Sequence, residues 1–287
     1  MAGNGARLVG TVQALHRYPV KSMLGEACHA AAVTTKGIVG DRAFALMDAA
    51  TGNVASAKQP RLWRGLLGCA ARMDGDGAAV SVQLPGGSTH RAGEAVLDHI
   101  LSAMTGRGVW LERQPPEAAA IVRDHPEDVL AGGLDAQVDA DSLTLGQGAP
   151  AGTFLDYAPL HLITSATLGA LSDALPGGPL ESIRYRPNII IATAPGVTGF
   201  PENAWVEGTL RIGTEVALKI ILSTPRCAIP MLAHGPLPPR PDALRAAMAH
   251  NRVEIAGFGN QPCAGVYAAV VQTGDIRVGD AVSFAAA

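Results

Sequence analysis

Cysteine is scarce in this sequence. The four cysteines, Cys28, Cys69, Cys227 and Cys263, never occur as C-x-x-C in 287 residues. That spacing argues against a disulfide framework, a structural zinc site and an iron–sulfur cluster, all of which need clustered thiolates. Long apolar runs are missing too. Apolar stretches such as Ile189–Ala192 and Ile220–Leu222 are strand-sized. A membrane helix needs roughly 18 apolar residues or more. The first residues lack the charged and apolar regions of a secretory signal, and Ala2 does not fit a myristoylation pattern. The expectation is therefore a cytoplasmic protein with no membrane partner. Charge of one sign is not in excess. The net charge is −3, and no basic stretch dominates, which argues against a nucleic-acid partner.

What is present is apolar and interrupted. Hydrophobic residues make up 48% and charged residues 16%, enough for a real core and too apolar for a disordered chain. Thirty-four glycines and 20 prolines lie scattered between short apolar runs, the pattern of many strands and turns. Strands are predicted over Leu8–Tyr18, Ala30–Thr35, Arg42–Asp48, Leu62–Met73, Ala79–Leu84 and Val109–Arg113, with a turn at Asp74–Gly77. Val96, Leu97, Ile100, Leu101 and Met104 share one face of a helix over Glu94–Met104, stopped by Gly106. Gln114–Ala140 reads as an irregular connection, rich in proline and glycine. Further strands are expected at Ser142–Leu145, Asn188–Thr193, Leu210–Ile212, Val216–Leu222, Val266–Val271 and Ala281–Phe284. Two helices are expected, at Ala166–Ala174 behind a Thr164 or Ser165 cap and at Ala243–His250 behind Asp242. Strands dominate both halves, so the fold class is mainly β, with a β-barrel and few short helices.

The polar residues at strand boundaries are the chemical candidates, because rigid scaffolds carry function on loops at strand ends. Tyr18-Pro19-Val20-Lys21-Ser22 places a lysine and a hydroxyl just after a strand. Gly40-Asp41-Arg42, Arg184-x-Arg186-Pro187-Asn188 and Thr224-Pro225-Arg226-Cys227 add arginines, an amide and a thiol in similar positions. Each has a plain alternative. Lys21 could be solvated, Arg42 could pair with Asp41 or Asp48, Arg184 and Arg186 could be surface cations, and Cys227 a small core residue. Taken together they suit an anion. Arginine grips phosphate in a bidentate way, lysine acts as a point charge, and Ser22 and Asn188 add hydrogen bonds. Arg226 beside Cys227 favours a thiolate, a soft metal ligand or nucleophile. The eight histidines show no H-x-x-x-H spacing. There is also no G-x-S-x-G elbow and no dinucleotide-binding glycine fingerprint opening a helix after a strand.

These blocks, with Gln59-Pro60-Arg61-Leu62 and His161-Leu162-Ile163-Thr164-Ser165, resemble the MOSC family, named for the C-terminal part of molybdenum cofactor sulfurases. The resemblance implies an N-terminal β-barrel companion over 7–113, a connection over 114–140 and a MOSC domain over 141–284. It is similar in layout to the mitochondrial amidoxime reducing components and their bacterial relatives. It implies a molybdenum cofactor, with Cys227 as metal ligand and catalytic residue. Lys21, Ser22, Arg42, Arg186 and Asn188 would hold the pterin and phosphate, joined by Ser165 and Arg226. The implied activity is reduction of N-hydroxylated small molecules, with electrons from a separate flavin, haem or iron–sulfur reductase. The alternative is a sulfur-carrying or cofactor-handling protein working through a Cys227 persulfide. Ala228-Ile229-Pro230-Met231 departs from the family, which often places Thr or Ser there. An N-terminal anchor and a ferredoxin-like extension are not expected.

Overall fold

The structure, a computed structural model, describes residues 6–74, 79–145 and 149–287. Seven strands close into a barrel. In chain order they are β1 (Arg7–Arg17), β2 (Leu160–Thr164), β3 (Ile189–Thr193), β4 (Thr209–Ile212), β5 (Val216–Pro225), β6 (Gly259–Gln272) and β7 (Ala281–Ala285). Around the barrel the order is β2-β3-β1-β7-β4-β5-β6, and β6 pairs back to β2. Only β2 and β3 run parallel; the other barrel pairs are antiparallel. Closure leaves no barrel strand with an open edge of unpaired peptide groups.

Alternation along each strand explains the interior. Leu160 and Leu162, Ile189 and Ile191, and Leu218 and Ile220 all enter one core with Trp205 and Phe284. Ile163 and Ile190, on the outer side, pack with Leu171 and Ala247 of the helices Ser165–Asp173 and Asp242–His250. Gly10 lets β1 lie tight on β3. A Cβ there would come within 2.1 Å of the Ala192 carbonyl oxygen.

A second core lies between Val20 and Val109, around Phe44, Trp63, Leu66 and Leu97. Its frame is a three-stranded sheet (Ala70–Met73, Val80–Gln83, Thr89–Arg91), a ribbon (Ala45–Asp48 with Val109–Glu112) and the helix Ala95–Thr105. That helix ends on Gly106 at φ 67°, the left-handed stop expected of it.

Several expectations need correction. The stretch Leu62–Met73 is not one strand. A helical turn, Pro60–Trp63, and a 3-10 turn, Arg64–Gly68, precede the strand Ala70–Met73. Pro60 sits in the first helical turn, where its missing N–H has no cost. The segment 114–140 is not irregular either. Ala120–Asp124 pairs antiparallel with Ala140–Thr144, and the helix Pro126–Gly132 joins them. Arg42 does not begin a strand; its φ is 46°, and the strand starts at Ala45. Asp242 opens its helix without a side-chain cap bond. The turn expected at Asp74–Gly77 lies, beyond Asp74, outside the described residues. Among the described residues, no helix is long and apolar enough to cross a membrane.

Candidate cofactor site

A cleft lies beside the barrel, walled by Arg42 and Lys58, by the ribbon of Ala120–Asp124 with Ala140–Thr144, and by residues in or next to β2, β3 and β5. It encloses about 1120 Å³ of non-protein space, part of it open to solvent. Arg42, Lys58, His161, Arg186, Asn188, Arg226 and Cys227 are among its walls. A recess of about 310 Å³ lies beside it, lined by Lys21, Ser22, Ser56 and Phe154. Cleft and recess share Arg42, Asp156, Arg186 and Ile229.

The backbone is bent to deliver these side chains. Among the described residues, five that are not glycine have positive φ. Three of them are Ser22 (65°), Arg42 (46°) and Arg186 (54°). Each such residue costs about 1–2 kcal/mol, so the surroundings must hold it in place. They do. The Arg42 amide donates to the Tyr18 carbonyl at 2.8 Å, and the Arg186 amide to Ile183 at 3.1 Å. The Ser22 hydroxyl accepts from the Ala57 amide at 2.9 Å, which leaves its proton free to be donated. The Tyr18 ring carries both guanidinium groups, Arg42 at 4.5 Å and Arg186 at 4.3 Å from its centroid.

Charge is handled unequally. Asp41 accepts from Arg42 at 2.5 Å and from the Tyr18 amide at 2.7 Å. Burial opposes the charge on Arg42, but Asp41 outweighs it and its pKa is raised. Arg186 donates to the Met23 carbonyl at 2.6 Å. Burial, then neighbouring Arg42, lowers its pKa to about 10. Burial lowers Lys21 to about 8, although Asp156 opposes this. Lys21 donates to Asp156 and to the Phe154 carbonyl, and Lys58 reaches Asp156 at 3.0 Å. Burial pushes the Asp156 pKa up, but Lys21 and Lys58 hold it well below the usual carboxylate range. His161 donates its amide to Asn188 Oδ1 at 3.1 Å, and that oxygen also takes Arg42 at 3.3 Å. Burial, then Arg226, lowers the His161 pKa to about 3, so the ring is neutral.

The thiol side follows from where β5 ends. The strand stops at Pro225, and Arg226-Cys227 turn straight into the cleft wall. The Arg226 amide donates to Pro262 at 2.8 Å and its Nη2 to Tyr185 at 3.0 Å. Its buried Nε has no partner, and neither does the hydroxyl of Thr224. Cys227 is 7% exposed and stands at a border, with Ala57, Ile229 and Met231 behind it and the cleft before it.

The lining is therefore strongly positive. Lys21, Arg42, Lys58, Arg123, Arg186 and Arg226 face a single acid of the lining, Asp156. Buried cations need an anion or they destabilise the fold. The orphaned Arg226 Nε and the adjacent thiol suit a group that is anionic at one end and soft at the other. A phosphorylated, sulfur-bonded metal cofactor has that character, and these residues fit it.

Lys21, Ser22, Arg42, Arg186, Asn188, Arg226 and Cys227 thus come together from four separate stretches of sequence. Ser165 does not join them. Its hydroxyl accepts from the Thr193 amide at 3.0 Å and meets Thr193 Oγ1 at 3.1 Å. Arg184 is fully buried but spent, on Glu181 at 2.7 Å and on the Leu232 and Pro238 carbonyls at 2.9 Å each. Lys58, Arg123, Asp156, His161 and Tyr267 were not foreseen. Lys58 directly precedes Gln59-Pro60-Arg61, and His161 opens the run that ends at Ser165. Arg123 and Asp156 carry no local signal.

Family models match both parts of the chain. The MOSC N-terminal beta barrel domain covers residues 9–96 and the MOSC domain residues 150–283. The chain belongs to the MOSC family. MOSC membership relates it to molybdenum-cofactor proteins. Mitochondrial amidoxime reducing component 2 of Rattus norvegicus is 30% identical over 131 residues, 44% of this chain and 37% of that protein. Its Homo sapiens counterpart is 30% identical over 135 residues, with the same shares. The match therefore spans well under half of either relative. Among solved structures, the YUAD protein from Bacillus subtilis aligns over 99% of this MOSC chain and 100% of its own, at a TM-score of 0.47 and 9% identity. YiiM from Geobacillus stearothermophilus aligns over 44% and 54%, at 0.30 and 18%. Both likenesses are too distant to bear on function.

Proposed function

We propose that this MOSC protein binds a molybdenum cofactor, with the Cys227 thiolate as metal ligand, and reduces N-hydroxylated small molecules. The observation that carries the reading is the combined lining of cleft and recess, in which a thiol and six cations meet one carboxylate. Lys21, Arg42 and Arg186 would hold the phosphate, and Ser22 would donate a hydrogen bond to it. Asn188 spaces Arg42 from His161 and fixes both. Arg226 lies next to Cys227 in the cleft wall, and a thiol sulfur is a soft ligand of the kind such a metal takes. When bound, the cofactor supplies a two-electron couple able to take oxygen from nitrogen. The relatives' name, amidoxime reducing component, supports that reaction class. The electrons would come from a separate reductase. The expected result is stoichiometric molybdenum and pterin in protein made in a cofactor-competent host, with turnover of hydroxylamine by the reduced protein. Full molybdenum content and full activity in Cys227→Ser would refute the assignment.

A further inference from the structure

The cleft has a second end with different chemistry. His161, Tyr267, Tyr157 and Phe258 form a continuous ladder of rings along it. His161 and Tyr267 meet edge to face at 5.8 Å, Tyr267 and Tyr157 stack at 5.9 Å, and Tyr157 meets Phe258 edge to face at 5.8 Å. Leu222, which packs in one cluster with Tyr157 and Tyr267, adds to this apolar end. The ladder begins deep, at a neutral histidine 5% exposed, and ends in water, at a phenylalanine 40% exposed.

Phe258 is held there by its turn. It sits between Gly257 (φ 79°) and Gly259 (φ 69°), at the tip of the hairpin joining the strand Arg252–Ile255 to β6. Its amide donates to the Ile255 carbonyl at 2.9 Å, and its carbonyl accepts from Gln261 Nε2 at 2.6 Å. A large apolar ring fixed in place yet left partly in water, beside a second ring set edge to face, offers a surface for a third ring. Offset and edge-to-face contacts would reward a flat aromatic group beyond simple burial, and an alkyl group would gain only the burial.

We propose that Phe258 and Tyr157 form a stacking subsite that selects substrates carrying a flat aromatic ring beside the N-hydroxyl group. This rests on the cofactor reading above, in which the cationic end of the cleft is taken by the cofactor and the aromatic end is left for the molecule that reacts. Phe258 is then a specificity-determining residue. The test compares benzamidoxime with acetamidoxime, which share one polar head, on the full chain loaded with cofactor. In Phe258→Ala, the KM for benzamidoxime is expected to rise about fivefold. Its kcat should stay within about twofold, and both constants for acetamidoxime should hold. Phe258→Tyr should restore the wild-type KM. Calorimetric titration of benzamidoxime gives a readout free of turnover and should weaken by the same factor. Binding without reduction would keep the subsite and sink the reductase reading. Equal shifts for both amidoximes, no shift for either, or no binding of benzamidoxime would overturn the subsite alone. Loss of molybdenum from Phe258→Ala would also overturn it, by putting the ring against the cofactor.

Discussion

At the scale of single residues, Lys21 has the site's most conditional charge. Burial holds its pKa near 8, well under the ordinary lysine value of 10.5. It is a cation below that pH and neutral above it, so an anion it helps to bind should be released as pH rises. Sulfate serves as probe, because its own charge is constant over this range. Its affinity for the cofactor-free protein should be flat below about pH 7 and fall by up to about tenfold per pH unit above about 8. In Lys21→Met the affinity should be lower and the slope gone. Titration calorimetry at a series of pH values reads both; an identical slope in the variant would remove Lys21 from the anion site. Cys227→Ser should separate binding from folding. It replaces a nearly buried thiol by a hydroxyl of similar size and should cost about 1 kcal/mol. The variant should therefore unfold within a few degrees of wild type yet carry no molybdenum, as thermal melting and metal analysis would show.

At the scale of elements, the helix behind β2 depends on one threonine. Thr164 Oγ1 accepts from the Thr167 amide at 3.1 Å and donates to Glu202 Oε2 at 2.7 Å. Glu202 is 1% exposed, and burial raises its pKa. Thr164→Ala removes a helix cap and strips a buried carboxyl of a donor at the same time. The expected loss is about 2–4 kcal/mol by urea denaturation. Thr164→Ser should recover most of it. A loss under about 1 kcal/mol would show that the backbone amide of Thr164, 3.2 Å from Glu202, already suffices.

At the scale of the whole molecule, the barrel is sewn from both ends of the chain. The neighbours of β1 are β3 and β7, both from the C-terminal half. Without β1, these two strands would present open edges. A fragment covering 141–287 should therefore lack a cooperative unfolding transition, and a peptide covering 6–18 should restore part of it. A sharp transition in the fragment alone would show that β1 is dispensable. Gly10→Ala probes the same seam in the intact chain. Its methyl would meet the Ala192 carbonyl, so β1 must shift or lose pairing there, and stability should fall by about 1–3 kcal/mol.

The class of the fold was legible in the chain's local patterns, and so were several residues of the cleft and recess. Short apolar runs bounded by Gly and Pro specify strands such as Arg7–Arg17, before Pro19, and Ile189–Thr193, before Pro195. The 3.6-residue spacing of Leu97 and Leu101 does the same for their helix. Motifs at strand ends pointed to Lys21, Ser22, Arg42, Arg186, Asn188, Arg226 and Cys227, which line the cleft and the recess beside it. Other features became visible only in the folded chain. Pro126 reads as part of an irregular stretch, although a proline in the first turn is compatible with a helix such as Pro126–Gly132. His161 and Ser165 stand in one short run, yet the first lines the cleft and the second is bonded to Thr193. Asp156 becomes the partner of two lysines more than ninety residues before it, and Arg123 reaches the Arg226 carbonyl across the cleft. Such roles depend on strand register and barrel closure, which are long-range properties. Local periodicity carries no record of which distant surface a polar side chain will meet.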